Sequence, residues 1–510
     1  MSKSLFARYP AILTQRKVHA MKDIRVTLYA RVSSEKQAEA KTSDSQLAVK
    51  RGNTENLGEV LIQVPSDRQL AEAMAELKSS CFEAAKKTLK VLVVNAYVRE
   101  NAGDAALLSV LLDQIAEAFP NSEICVSGME SPQLLADFEG KANLGSVRRW
   151  AGDEEISRPR RIMRKMVTGL VGIFWFRGPK MVWRLIERCL PSEPRNELRA
   201  LRTADLVVGL GGGYMRGAKG LGGDINIFYL LLPLALTKRL KKSLVLAPQS
   251  YGPFSSEWQK KAVVHVLRDI DAVFVREDIS MTLLASLGAK PRRLERAVDS
   301  GFAFEGGLTR DWRDELSIDG GIPLVGMTAR QWLEPTAQTQ YEEALSLTAD
   351  HIQTARGCRV ILIPQVMSNY QQDDDRIVQR RIAARCVSER KPVNLTNLNG
   401  YCELKSLYES LDFVIGTRFH SVIFALTSFV PCIAIEYEHK TSGIMKELGL
   451  HRWVVPIEDV TAERLRSLFD ELLHDADSYR AHLRDVIPPY VNQSRAFVAA
   501  LKQTGSRVSR

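Results

Sequence analysis

Residues 412–450 read DFVIGTRFHSVIFALTSFVPCIAIEYEHKTSGIMKELGL, and the reading of this stretch decides the fold. Phe413-Val414-Ile415 is an apolar run of strand length. Gly416-Thr417 breaks it, and Arg418 and His420 follow at once. A helical segment starts near Ser421, and beyond Pro431 a second apolar run reaches Ile435. Strand, turn, helix and strand in that order predict a parallel β-α-β unit. Open parallel sheets bind ligands outside the carboxyl ends of their strands, in the turns that lead into the helices. Arg418 and His420 fall on such a turn. A guanidinium offers a rigid fork of donors for phosphate or carboxylate, and an imidazole moves a proton near neutral pH. A surface arginine and a helix-start histidine would read the same from spacing alone.

The same alternation runs back through the chain. Leu89 opens a buried strand that leads, through a loop holding Asn101, Gly103 and Asp104, into an amphipathic helix. Asp104 suits a helix N-cap there, and a ligand lip equally. Ser122–Ser127 predicts the next strand. Ala204–Gly213 (ADLVVGLGGG) is a strand ending in glycines, whose amides can approach a phosphate closely. It lacks the last glycine of a dinucleotide fingerprint. Gly220–Asp224 predicts a flexible rim. Strands are expected at 244–247, at 272–275 with Arg276 just past the end, and at 297–299. This gives one doubly wound domain over 89–305, with a helical insert at 148–191. A polar linker, 305–321, precedes a restart at 322–328 and 359–363. The unit 412–450 then completes a second Rossmann-like domain, 322–504, whose closing helices pack back on the first. Two such domains facing a cleft are the expected architecture. Asp373-Asp374-Asp375 reads as a solvated helix start rather than a metal site, and no Asp or His spacing implies a metal.

Composition sets the class. The 510 residues are 45% hydrophobic and 25% charged, which suits an ordinary globular chain. A formal charge of +10 favours anionic partners without choosing among them. Seven scattered cysteines, with no CxxC pair, suit a reducing cytoplasm and argue against a disulfide framework or zinc site. The first 25 residues make a poor signal peptide, and no run is expected to span a membrane. Within the insert, Arg158-Pro-Arg-Arg-Ile-Met-Arg-Lys165 leads into an apolar, tryptophan-bearing run to residue 183. Residues 158–187 suit peripheral contact with an anionic bilayer, or a helical flap over the sheet. The break at Arg177-Gly-Pro favours the flap.

Two resemblances follow from these residues. In the leader, 1–88, Val26–Gln46 (VTLYARVSSEKQAEAKTSDSQ) resembles the opening of a serine recombinase domain, which would make Ser33 a nucleophile and Arg31 a phosphate contact. No recombinase body follows, so the stretch reads as a vestigial fragment, and no nucleic-acid partner is expected.

The second resemblance covers 89–450. NAGDAAL at 101–107, DLVVGLGGG at 205–213, APQSYGPF at 247–254, VFVRED at 273–278, GTRFHS from 416 and IEYEHKTSGIMKELGL from 435 occur in the order found in polysaccharide pyruvyl transferases. The resemblance implies a GT-B-like fold and transfer of a pyruvyl group from phosphoenolpyruvate, as co-substrate without other cofactor, to a glycan. The acceptor would be a lipid-linked precursor of a surface polysaccharide, handled in the cytoplasm at the inner face of the membrane. It carries catalytic roles to His420, Arg418 and Arg276. Asp104, Asn101, Gly212, Gly213 and Lys440 would bind substrate. A GT-B-like glycosyltransferase using a nucleotide sugar, a DNA-binding recombinase relative and a non-catalytic glycan binder are the competing readings.

Overall fold

Successive residues of a strand point to opposite faces of its sheet, and in the first sheet both faces are buried. Val91 and Val93 enter one apolar cluster, and Leu92 and Val94 enter another. Such doubly covered strands belong to parallel sheets clad in helices. The computed structural model describes residues 88–97, 100–129, 141–153, 156–177, 187–306, 310–367, 373–396, 398 and 401–508. Ser33, Arg31 and the rest of the leader up to residue 87 lie outside them.

The first sheet holds β1 (Lys90–Ala96), β2 (Glu123–Gly128), β3 (Ala142–Asn143), β4 (Leu206–Gly209), β5 (Gly212–Met215), β6 (Ser243–Tyr251), β7 (Ala272–Val275) and β8 (Leu294–Arg296). Its order is β3-β2-β1-β4-β6-β7-β8, with β5 also on β6. The second holds β9 (Leu324–Met327), β10 (Arg359–Leu362), β11 (Val393–Asn394), β12 (Phe413–Gly416), β13 (Cys432–Glu436) and β14 (Val454–Pro456), ordered β11-β10-β9-β12-β13-β14. Every pairing between these strands is parallel. In each sheet the strand order reverses beside the first strand, between β1 and β4 and between β9 and β12. Ligands bind at such switch points.

The helices that matter for the cleft and its surroundings are α1 (Ala102–Ala118), α2 (Arg158–Arg177), α3 (Gly220–Arg239), α4 (Asp375–Arg385), α5 (Phe419–Thr427), α6 (Lys440–Glu447) and α7 (Ala496–Val508). The two halves are stitched by backbone. Ala102 N donates to Gln365 O at 2.9 Å, and Met367 N to Glu100 O at 2.8 Å. The last helix returns to the first sheet, where Phe497 packs edge-on against Phe274 with ring centroids 5.1 Å apart.

Several local expectations need correction. Gly220–Asp224 is the first turn of α3, not a mobile rim. Asp224 accepts from Ser256 Oγ at 3.0 Å and Gln259 Nε2 at 2.8 Å, and a Cβ on Gly223 would sit 2.0 Å from Ala218 O. The strand expected at 297–299 lies at Leu294–Arg296, and Asp299 instead caps a short 3-10 turn through Gly301 N at 2.8 Å. Inside the supposed linker, Trp312 is buried in the second core and donates to Ser406 Oγ at 2.9 Å. The insert helix α2 packs on α3, through Thr168 against Tyr229. By length and composition α3 could cross a membrane, with mean hydropathy 1.4, but 61% of its apolar window is buried in the protein. It reads as a core helix.

Candidate functional site

Loops that follow six of the strands, among them the switch-point strands β1, β9 and β12, deliver polar side chains to one cavity of about 580 Å3 between the sheets. After β1 come Asn101 and Asp104. After β5 comes Arg216, after β7 Arg276, after β9 Arg330, after β12 Arg418 and His420, and after β13 Tyr437, Glu438 and Lys440. The wall thus carries five cationic side chains (Arg216, Arg276, Arg330, Arg418, Lys440) against three carboxylates (Asp104, Asp373, Glu438).

The two arginines expected from sequence are both buried and held from behind. Arg276 pairs with Asp299, donates from Nε to Ser250 Oγ at 2.7 Å, and lies 3.5 Å from Glu277. Neighbouring Asp278 pairs with Arg296. Arg418 donates to Asp375 at 2.6 Å and to Asp373 at 2.9 Å. Asp375 also accepts from the Gln365 and Val366 amides, each at 3.0 Å. Burial raises the Asp375 carboxyl, against the pull of Arg418 and these two amides, and Asp375 in turn helps hold Arg418 charged despite burial. The acidic run is therefore no solvated helix start. Asp374 caps α4 through Arg376 N at 3.0 Å, and Asp375 is 1% exposed.

Phe419 packs against two cations: the Arg276 guanidinium is 5.1 Å from its ring centroid and Lys440 Nζ 5.0 Å. A negative ring face eases their mutual repulsion. Lys440 also donates to Glu438 at 2.7 Å, and Arg216 reaches across from the first half to pair with Glu438.

Asn101, not Asp104, caps α1, accepting from Gly103 N at 3.1 Å. Asp104 is thereby free to face the cavity. Burial pushes its carboxyl up to about 6, against the pull of Lys440 and Arg276. Burial pushes the His420 imidazole the other way, down to about 4, with Asp299 opposing and Arg276 and Lys440 adding. The usual order of a carboxylic acid and an imidazole is inverted. Two titratable groups driven apart in this way are a pattern of acid-base sites. Burial alone would raise the Tyr437 phenol, yet Lys440, Arg330 and Arg418 together bring it below its ordinary value.

Gly103 has a specific reason to be glycine: a Cβ there would lie 1.9 Å from His420 Nδ1. Gly213 makes room likewise, its Cβ position being 3.0 Å from Arg276 Nη2 and 3.4 Å from Lys440 Nζ. Gly212 does not join the wall. It is buried in β5, paired with Gln249, at a φ of 129°.

Three buried polar atoms of residues on this wall, His420 Nε2, Arg330 Nε and Gln365 Oε1, have no hydrogen-bond partner among the described residues. Buried polar groups are ordinarily paired, so these point to a polar ligand. Arg330 and Gln365 were missed in the sequence. Arg330 follows the end of β9 as Arg418 follows that of β12, so the rule that found one finds the other. Asp299 and Asp375 left no local signal, because they lie 23 and 43 residues from the arginines they hold.

Comparison with known proteins adds four findings. Residues 101–439 match the family model for polysaccharide pyruvyl transferase. The amylovoran biosynthesis protein AmsJ of Erwinia amylovora is 24% identical over 391 residues, covering 71% of this chain and 86% of its own. Among solved structures, one described as a UDP-N-acetylglucosamine 2-epimerase from Listeria monocytogenes superposes with a TM-score of 0.54 at 13% identity, covering 82% of this chain and 98% of its own. The S. aureus MnaA-UDP co-structure gives 0.50 at 12% identity, covering 78% and 91%. At such identities the likeness shows the fold, which is GT-B-like.

Proposed function

The chain belongs to the polysaccharide pyruvyl transferase family, and from that premise we propose that it moves the pyruvyl group of phosphoenolpyruvate onto two hydroxyls of a glycan, closing a ketal and releasing phosphate. One observation carries the reading. Five cationic side chains from both halves converge on a cavity that also holds Asp104, whose carboxyl sits at about 6, and His420, whose Nε2 is unpartnered among the described residues. A small donor with a carboxylate at one end and a phosphate at the other matches such a wall. Because Asp299 and Asp375 already occupy part of Arg276 and Arg418, those arginines position as much as they clamp. Arg330 and Lys440 supply donors less fully used.

The chemistry then runs on this chain's own groups. Asp104, protonated, delivers its proton to the donor's methylene carbon, which becomes a methyl group. The adjacent carbon turns electrophilic and is attacked by one glycan hydroxyl, whose proton passes to neutral His420. The bond to phosphate breaks as the cations take up the leaving charge, and the second hydroxyl closes the ketal. Of the two hydroxyl protons, one replaces that spent on the methyl group and the other leaves on phosphate. No cofactor is required beyond the donor itself. A lipid-linked precursor at the cytoplasmic face of the membrane is the acceptor most in keeping with a family that modifies polysaccharide.

Titration calorimetry of the full chain with phosphoenolpyruvate, then with UDP-N-acetylglucosamine, tests the donor. Saturable binding of the first and none of the second is expected. Binding of the nucleotide sugar alone would replace this reading with the glycosyltransferase one.

A further inference from the structure

Beside the cationic cavity lies a larger one, of about 900 Å3. The two share a wall of Gly213, Arg216, Pro253, Tyr437, Glu438 and Lys440. Beyond that wall their chemistry differs. The second chamber adds the carboxylates of Glu277, Glu436 and Glu458, with Lys260 as its one further lysine or arginine. It also adds the apolar surfaces of Ile279, Leu283 and Trp332. With Glu438 its carboxylates outnumber its lysines and arginines, so the chamber suits a neutral ligand with both apolar faces and hydroxyls better than a phosphate.

Trp332 is the telling residue. Its indole is 38% exposed, yet it is fixed: it packs on Tyr437 with centroids 5.0 Å apart, and the Arg330 guanidinium lies 4.6 Å from its ring centroid. Gln338 Oε1 accepts from its backbone amide at 3.1 Å. A large aromatic ring held rigid and uncovered is a preorganised contact surface. Tyr251, 2% exposed, borders the same chamber, and its buried hydroxyl has no hydrogen-bond partner among the described residues.

We infer that this second chamber binds the glycan of the acceptor, with a sugar ring laid on Trp332 and its hydroxyls met by Glu436 and Glu458, so that a hydroxyl pair is presented past Tyr437 to the donor. The inference rests on reading the cationic cavity as the donor site. The probe is the mixture of oligosaccharides released by mild acid from the source strain's surface polysaccharide. Saturation-transfer NMR on the full chain reads sugar-ring protons, and calorimetry with phosphoenolpyruvate reads the donor site separately. Glycan binding should weaken at least tenfold in Trp332→Ala and recover in Trp332→Phe, with donor affinity within twofold of wild type in Trp332→Phe. Unchanged glycan binding in Trp332→Ala, or no transfer to any sugar proton, would overturn the subsite. Failure of phosphoenolpyruvate to bind wild-type protein would instead overturn the donor reading.

A different observation carries a second inference. One face of α2 packs on α3, where a Cβ on Gly172 would come within 2.7 Å of the Phe228 ring. Elsewhere on the helix Ile162, Met163, Met166, Val167 and Leu170 are 43–65% exposed. At about 100° per residue these five fall within an arc of about 140°, with Arg158 and Lys165 along one edge and Arg160 along the other. An apolar stripe edged by cations matches an anionic bilayer surface, with the basic side chains reaching the headgroups. The geometry points to α2 as a membrane-docking helix. Sedimentation of the full chain with phosphatidylcholine vesicles, with and without phosphatidylglycerol, tests it. Binding should be at least tenfold tighter with the anionic lipid, fall with salt and be lost in the double variant Met166→Glu, Leu170→Glu, while phosphoenolpyruvate binding persists. Equal or no binding to the two vesicles, or self-association through this face in sedimentation velocity, would overturn it.

Discussion

Gly103→Ala probes the join between the two halves with a single methyl group. Its Cβ would lie 1.9 Å from His420 Nδ1 and 2.4 Å from Cγ, where ordinary contact begins at 3.4 Å. The imidazole, or the start of α1, must therefore shift by about 1.5 Å. Alanine favours a helix over glycine by about 1 kcal/mol, while overpacking costs about 1–3 kcal/mol. The two largely offset, so the melting temperature should fall by only a few degrees. Turnover should suffer far more, since about 1 Å of misplacement can cost roughly a hundredfold in rate. Donor-dependent phosphate release and a thermal melt of the same preparation measure both. Activity within threefold of wild type would refute the claim that His420 must sit where Gly103 admits it.

Other consequences follow from the same site. The kcat/KM profile should be bell-shaped, falling below about pH 4 as His420 gains a proton and above about pH 6 as Asp104 loses one; Asp104→Asn should abolish turnover, and an unchanged alkaline limb would exclude Asp104 as the acid. Because the folded Asp104 carboxyl lies above its ordinary 3.8, its stability contribution is present below about pH 4 and lost as pH rises through about 6. Asp104→Asn should accordingly raise the melting temperature at pH 8 and leave it unchanged near pH 4. Arg330→Met removes a charge-assisted contact of about 2 kcal/mol, so calorimetry should show phosphoenolpyruvate binding weakened roughly thirtyfold. Asp375→Asn breaks the buried pair with Arg418, at about 3–5 kcal/mol, and a thermal melt should show it as the most destabilising of these variants.

The strands and turns around the cleft were legible because they are local patterns. The run at 413–415 with its following turn placed Arg418 and His420 at a strand end, and the same rule placed Arg276. Parallel strands buried on both faces announce themselves as apolar runs, as 89–96 and 204–210 did. What the sequence withheld is what the fold brings from far away. Nothing near Asp299 or Asp375 marks them as counter-ions, so the acidic run at 373–375 read as solvated when Asp375 is buried under Arg418. Asp104 suited a cap by type, but Asn101 takes that role, leaving the carboxyl for the cavity. Gly103 read only as part of the loop after the first strand, and only the folded chain reveals the imidazole it accommodates.

The most direct test of the account is the reaction run in deuterium oxide, with phosphoenolpyruvate and the lipid-linked glycan from the source strain. Phosphate and product mass would be measured together. The account predicts one phosphate per ketal, and a product heavier by one pyruvate less one water, with a single deuterium on the new methyl group. It also predicts that both signals vanish in His420→Ala. Phosphate release without a pyruvylated product, or a glycan extended only when a nucleotide sugar is supplied, would contradict it.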